Sequence, residues 1–217
     1  MRRALLIPLA TLILADTHAV PVLPPPAPQY QDDVMIPEHA SNLEWHRVSY
    51  NVTPQEDVRE FVPAGQSGAD WHQIITVKIL PLSRDPHMIV DNTIAFMRTI
   101  CRQVKILATA PTQRTGEAAS LDIPLPTYES SEQLTTCDSP DQAKLTARLG
   151  PTAVKLRRYE VTWYRIMLGT KANYIVQRAW HGDTMDETSP LGSDTVLADW
   201  KQWISHITLR RRGADAH

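Results

Sequence analysis

The residues able to do chemistry in this chain are few and scattered. Cys101 and Cys137 are its two cysteines. Beyond the N-terminal segment the histidines are His39, His46, His72, His87, His181, His206 and His217. None of these forms a His-x-x-x-His pair and there is no Cys-x-x-Cys, so the sequence carries no recognisable metal-ligand spacing. His181 and Asp183 flank Gly182 in a polar stretch and are the nearest thing to a metal or acid–base pair. Such a pair becomes a site only when geometry converges around it. Asp70, Glu129, Glu160 and Asp183 are carboxylates available for paired-carboxylate chemistry, whose spacing is spatial and not sequential. Gly65-Gln66-Ser67-Gly68 lacks the strand-to-helix elbow that exposes a nucleophilic serine. No Gly-rich turn opens a helix, so no phosphate loop or dinucleotide fingerprint is present. The sequence therefore points to no catalytic residue, no metal ligand and no cofactor, and it leans away from an enzyme. The two cysteines have a simpler use. An even count in an exported chain favours a disulfide, here Cys101 with Cys137. Neither has a sequence-neighbouring histidine to make it a nucleophile.

The elements that would position these residues can be read from periodicity. Trp45 to Val52 alternates like a half-buried strand. Arg59 to Pro63 forms another, ended by Pro63 and the turn residues Ala64 to Gly68. Asp70 to Leu80 is dense in β-branched residues and reads as a buried strand. Asp85-Pro86 opens a helix, with Asp85 as cap and Pro86 at the first helical position. Val90, Ile94, Met97, Cys101 and Val104 recur on one face of it. That helix is expected to run to about Gln103 and to carry Cys101 toward the sheet. Val104 to Ala110 and Tyr128 to Cys137 read as strands, separated by a loop from Pro111. Asp138 to Pro151 reads as a loop with a weak helical turn. Val154 to Leu168 and Ala172 to Trp180 form a hairpin, with Gly169 placed for positive φ. Asp194 caps a last helix bearing Val196, Trp200, Trp203 and Ile207, and Arg210 to Arg212 follow it, where the helix dipole favours cations. The expectation is an α+β domain: a largely antiparallel sheet covered on one side by two helices.

The N-terminus sets the compartment. Arg2 and Arg3 precede an uncharged apolar run, Ala4 to Ala15, and Thr17-His18-Ala19 is a small-x-small cleavage site. Residues 1–19 thus read as a cleavable signal peptide, too short to span a bilayer. Residues 20–42 are a Pro-rich leader that proline holds extended. Residues 43–212 are a single domain and residues 213–217 a tail. The formal charge is −2 at pH 7, and removing the signal leaves it close to neutral. That excludes a strongly basic nucleic-acid binder. No later stretch is apolar enough to cross a membrane. Asn51-Val52-Thr53 matches a glycosylation sequon, but Pro54 directly after it disfavours its use.

Glu60 to Lys78 (EFVPAGQSGADWHQIITVK) resembles a pattern in small, uncharacterised exported bacterial proteins. In that pattern an acidic residue, an aromatic, Val-Pro, a Gly turn, a Trp and a Thr-Val strand follow in order. Gly169 to Trp180 (GTKANYIVQRAW) is similar to the same group. The resemblance implies a bacterial envelope or secreted location and no established activity. The reading is an exported, periplasmic or secreted non-catalytic protein that binds a small ligand or an unidentified protein partner. The alternatives are an exported hydrolase whose site is assembled from distant residues, and an envelope-assembly or secretion accessory docking through the Pro-rich leader and the Arg-ended C-terminus.

Overall fold

A computed structural model describes residues 32–35, 43–115, 128–149, 156–169 and 171–211. Residues 1–31 and 36–42, which hold the expected signal peptide and most of the expected leader, residues 116–127, 150–155 and 170, and residues 212–217 lie outside the described residues. Among the described residues nine strands and three helices follow in the order β1 (Asp32–Met35), β2 (Trp45–Val52), β3 (Asp57–Pro63), β4 (Gln73–Leu80), α1 (Pro86–Ile100), β5 (Cys101–Thr115), β6 (Tyr128–Pro140), α2 (Gln142–Leu149), β7 (Tyr159–Leu168), β8 (Asn173–Gly182), α3 (Asp194–Ser205) and β9 (Thr208–Arg211). Seven strands form one sheet in the order β2-β3-β4-β8-β7-β6-β5. Every pairing in it is antiparallel. The fold is α+β, as composition and periodicity imply.

The helices do not share a side. Side chains of successive strand residues point to opposite faces, so the register assigns each face. Ile75, Val77, Val176 and Trp180 fall on one face and pack with Trp200, Trp203 and Ile204 of α3. Leu80, Ile175, Tyr164 and Ile166 fall on the other and pack with Ile89, Val90 and Ile94 of α1. The expected two-helix cover on one side is corrected accordingly. Strands β4, β7 and β8 are buried nearly throughout. A sheet buried on both faces needs a layer on each, and one helix serves each here. A further short helix, α2, occupies part of the stretch read from sequence as a loop. Its Leu145 packs with Met97, Ile100 and the disulfide.

Several local details explain the element boundaries. Asp85 accepts from the His87 N–H, and Pro86 stands in the first turn. The helix stops at Ile100, and Cys101 opens β5 instead of riding on α1. It does so because the Cys101–Cys137 disulfide ties it to β6, beside a ladder in which Cys101 faces Pro140 and Val104 faces Cys137. The cap of α3 is Ser193, one residue before the expected Asp194, with Asp194 in the first turn. Gly169 is required for close approach and not for positive φ. A Cβ there would lie 2.5 Å from the Ala172 carbonyl and 2.9 Å from the Tyr174 ring. Gly65, at φ 83°, does supply the left-handed residue in the turn after β3.

The chain after α3 also differs from expectation. Thr208–Arg211 is a strand, not a helix-end tail, and it pairs antiparallel with Asp32–Met35 inside the segment read as a leader. Asp32 faces Arg211 and Asp33 faces Arg210. Strand β5 lies at the end of the strand order and carries Lys105, Pro111 and two register shifts. Lysine, proline and bulges are the usual guards of a sheet edge.

Candidate functional site

The α1 face of the sheet carries a row of polar side chains at positions where two-sided burial calls for apolar ones. Reading across the register, Ser49 pairs with Glu60, Glu60 with Thr76, Thr76 with Gln177, Gln177 with Tyr164, and Tyr164 with Gln133. Six strands thus contribute one polar residue each to a single line. Glu60, Thr76, Gln177 and Tyr164 are all buried. Lys78, also buried, stands two residues along β4 from Thr76 on the same face. Glu160, Thr162 and Thr135 continue the polar character on β7 and β6.

Three adjacent members of the row are left with unused hydrogen-bonding capacity. Thr76 Oγ1, Gln177 Nε2 and Tyr164 OH are buried without a hydrogen-bond partner among the described residues. The Tyr164 hydroxyl lies close to Thr135 and Thr162 but completes no bond of normal geometry with either. A buried polar atom left unpaired costs about 1–3 kcal/mol, and most buried polar groups in folded proteins are paired. Three in neighbouring cross-strand positions form a coherent set of anchors, because side chains facing each other across strands lie within about 5 Å.

The electrostatics of this face are set by burial. Glu60 is pushed up to about 7 by desolvation, against the opposing pull of the Ser49 hydroxyl and the Lys78 ammonium. Lys78 is lowered by its own burial, with Glu56 and Glu60 partly restoring it. Glu160 is likewise raised to about 7 by desolvation, although it accepts a 3.1 Å hydrogen bond from Thr162. Burial also raises the Tyr164 phenol, and the Glu160 charge raises it further.

The residues singled out from sequence are placed differently. His181 is buried and lies flat against Trp71, with ring centroids 3.9 Å apart and planes 4° from parallel. His72 meets it edge-on at 6.1 Å. The His181 Nε2 and Trp71 Nε1 atoms are buried without partners among the described residues. Desolvation, then the neighbouring His72 and Arg157, push His181 down to about 3, so it is held neutral. Asp183 turns to Arg157, which bonds Asp183 Oδ2 and Asp70 Oδ1 at 3.1 Å each. Both carboxylates are largely exposed. The His181–Asp183 motif is therefore a neutral stacked ring beside a surface ion-pair cluster. Glu129 lies exposed on β6. Glu160 is the only one of the four carboxylates to lie in the buried polar field. Among the described residues no group of three or more His, Cys, Asp or Glu could hold a metal ion. No helix of the described residues is long and apolar enough to cross a membrane.

Thr76, Gln177, Tyr164 and Lys78 were not picked out from sequence, although a signal exists. Ile74-Ile75-Thr76-Val77-Lys78 and Tyr174-Ile175-Val176-Gln177 are otherwise apolar strands. Thr76 and Lys78 on the first and Gln177 on the second interrupt the same face. No protein-family model matches the chain, and no curated protein matches it.

Proposed function

We propose that this chain is an exported, non-catalytic binding module that holds a small polar molecule against the α1 face of its sheet. The observation that carries the reading is the run Thr76–Gln177–Tyr164, three buried neighbours each with an unpaired polar atom. A ligand that pairs them recovers the cost of their desolvation, which is how sparse polar groups in an apolar surround fix a bound molecule. Export is supported by the signal-peptide pattern of residues 1–19 and by the disulfide, since such bridges persist in oxidising compartments. Periplasmic retention or secretion follows the same reading.

Native mass spectrometry of the protein taken from the exporting compartment of its host tests this directly. The expected species is Val20 to His217, less two hydrogens, carrying a small-molecule adduct that the Thr76→Val/Gln177→Leu double variant loses. An adduct-free protein that also shows no thermal shift with any member of a metabolite panel overturns the proposal.

A further inference from the structure

We infer that the turn between β3 and β4 carries an acid-released latch: its second limb, residues 70–72, is held on the sheet by a neutral His181 and lifts away when that ring takes a proton. This is a conformational device and stands apart from the binding proposal. The turn is tied to itself. Gly65 supplies its left-handed residue. Ser67 and Asp70 exchange backbone hydrogen bonds at 3.2 Å. Gln66 Oε1 accepts from the His72 and Gln73 N–H groups at 2.7 and 3.3 Å. Bound to its own turn in this way, the limb can leave the sheet without unravelling.

The limb's attachments to the rest of the molecule meet at one corner. Trp71 lies flat on the His181 ring, with centroids 3.9 Å apart. The His181 N–H donates to the His72 carbonyl at 3.0 Å, and the His72 ring meets His181 edge-on. Asp70 is joined at 3.1 Å to Arg157, which also holds Asp183, two residues past His181. Trp71 packs as well on Val62, Ile74 and Ala179. Lifting the limb bares those three, so acid turns a closed corner into an apolar surface.

The surroundings of His181 disfavour a charge on it. Its Nε2 is buried without a partner among the described residues. Desolvation, then His72 and Arg157, push its protonation down, while Asp70 and Asp183 oppose them. Glu160 stands opposite His181 in the β7–β8 ladder. Burial keeps that carboxyl near 7, so in acid it is uncharged and supplies no counter-charge. In the closed form His181 titrates at about 3, below its ordinary 6.5. The closed limb is therefore favoured above 6.5 and loses that preference as pH falls toward 3. A lifted limb returns the ring to water. The opening equilibrium should then rise about tenfold per pH unit below 6.5, and about a hundredfold from pH 7.5 to pH 4.5.

Amide hydrogen exchange followed by NMR on the disulfide-bonded protein tests the latch. The His181 N–H is the reporter and the amides of α3, on the opposite face, are the control. Corrected for intrinsic rates, protection at His181 is expected to fall about a hundredfold between pH 7.5 and pH 4.5. The α3 amides should show no such fall, because they report unfolding of the whole. In His181→Gln the same backbone N–H should keep its protection, and circular dichroism melts show whether that variant folds. If it does not, the imidazole titration of the unaltered protein decides. A His181 midpoint lowered from 6.5 by at least about one unit supports the latch, and a smaller lowering overturns it. Unchanged protection at His181 overturns it too. So does an equal fall in α3, or a fall that persists in the folded His181→Gln variant.

Discussion

The two faces of the sheet treat buried charge in opposite ways. On the α3 face Arg178 lies between Trp45, Trp200 and Trp203, with its guanidinium carbon 4.7 Å from the Trp200 ring centroid. It donates to Asp199 at 3.2 Å and to Gln73 at 3.0 Å. Arg165 donates to Glu132 and to the Ile204 carbonyl, each at 2.9 Å. The bonds to Asp199 and to the Ile204 carbonyl fasten α3 to the sheet. What this face leaves unpaired includes the indole N–H groups of Trp163, Trp200 and Trp203. On the α1 face the hydroxyls and amide of the central row stay unpaired, and the Glu60 and Glu160 carboxyls sit far above their ordinary range. Paired buried charge is architecture, since it locks one arrangement of helix on sheet. Unpaired polar atoms occur on both faces, but those on the α1 face include hydroxyl and amide groups in three adjacent cross-strand positions, Thr76, Gln177 and Tyr164, and such a row has no comparable structural return.

The contrast can be broken most forcefully at Arg178. Arg178→Ala empties the aromatic cage and should cost about 3–5 kcal/mol, read from urea unfolding midpoints. Asp199→Ala removes a partly exposed hydrogen-bonded counter-charge and should cost less, about 1–3 kcal/mol. The disulfide comes next. Cys101 and Cys137 are 36 residues apart, and replacing both by serine should lower stability by about 3–4 kcal/mol in the chain-entropy picture. A loss under 1 kcal/mol would mean that packing around Leu145 and Met97 already fixes β5 on β6.

The pH dependence sharpens the same comparison. Glu60 and Glu160 have folded pKa values near 7, above 4.5 in the unfolded chain. Their contribution is fully present below the unfolded value and is lost as pH rises through about 7. Stability should therefore fall from about pH 5 to about pH 8, by at most about 1.4 kcal/mol per pH unit for each carboxyl. Glu160→Gln should flatten that slope. His181, lowered from 6.5 to about 3, acts in the opposite sense. Its contribution is present above the unfolded value and is lost as pH falls toward 3, so His181→Gln should flatten the acid limb. The smallest effect is the most diagnostic. Thr76→Val, apolar and of similar shape, should leave the ligand-free protein unchanged or more stable by up to about 1 kcal/mol. A clear destabilisation would assign Thr76 to the architecture.

Much of the framework was legible in the sequence because it is local. The Asp85-Pro86 helix start, the turn after Pro63 and the hairpin into Ala172–Trp180 are each written in a few consecutive residues. The placement of α1 and α3 on opposite faces was not, because it depends on which side of the sheet each connection crosses. The alternation of Tyr174, Val176, Arg178 and Trp180 against Ile175, Gln177 and Ala179 was visible. Which set meets which helix is settled only by pairing with β4 and β7. His181 and Asp183 attracted attention by adjacency, yet in the fold one is sealed against Trp71 and the other salt-bridged at the surface. The polar row was hidden for the converse reason: its members lie far apart in sequence and meet only across strands.

The short ribbon of β1 and β9 has a mechanical consequence. Asp32 sits opposite Arg211 and Met35 opposite Thr208, so the chain enters and leaves at the same end of the ribbon. Antiparallel ladder bonds run perpendicular to the strands. Tension between the flanking N- and C-terminal segments therefore falls on the Asp32–Arg211 pair first and peels the ribbon like a zip. The seven-stranded sheet need not be sheared at that stage. Under load these two ends should part at low force, long before the body of the protein yields.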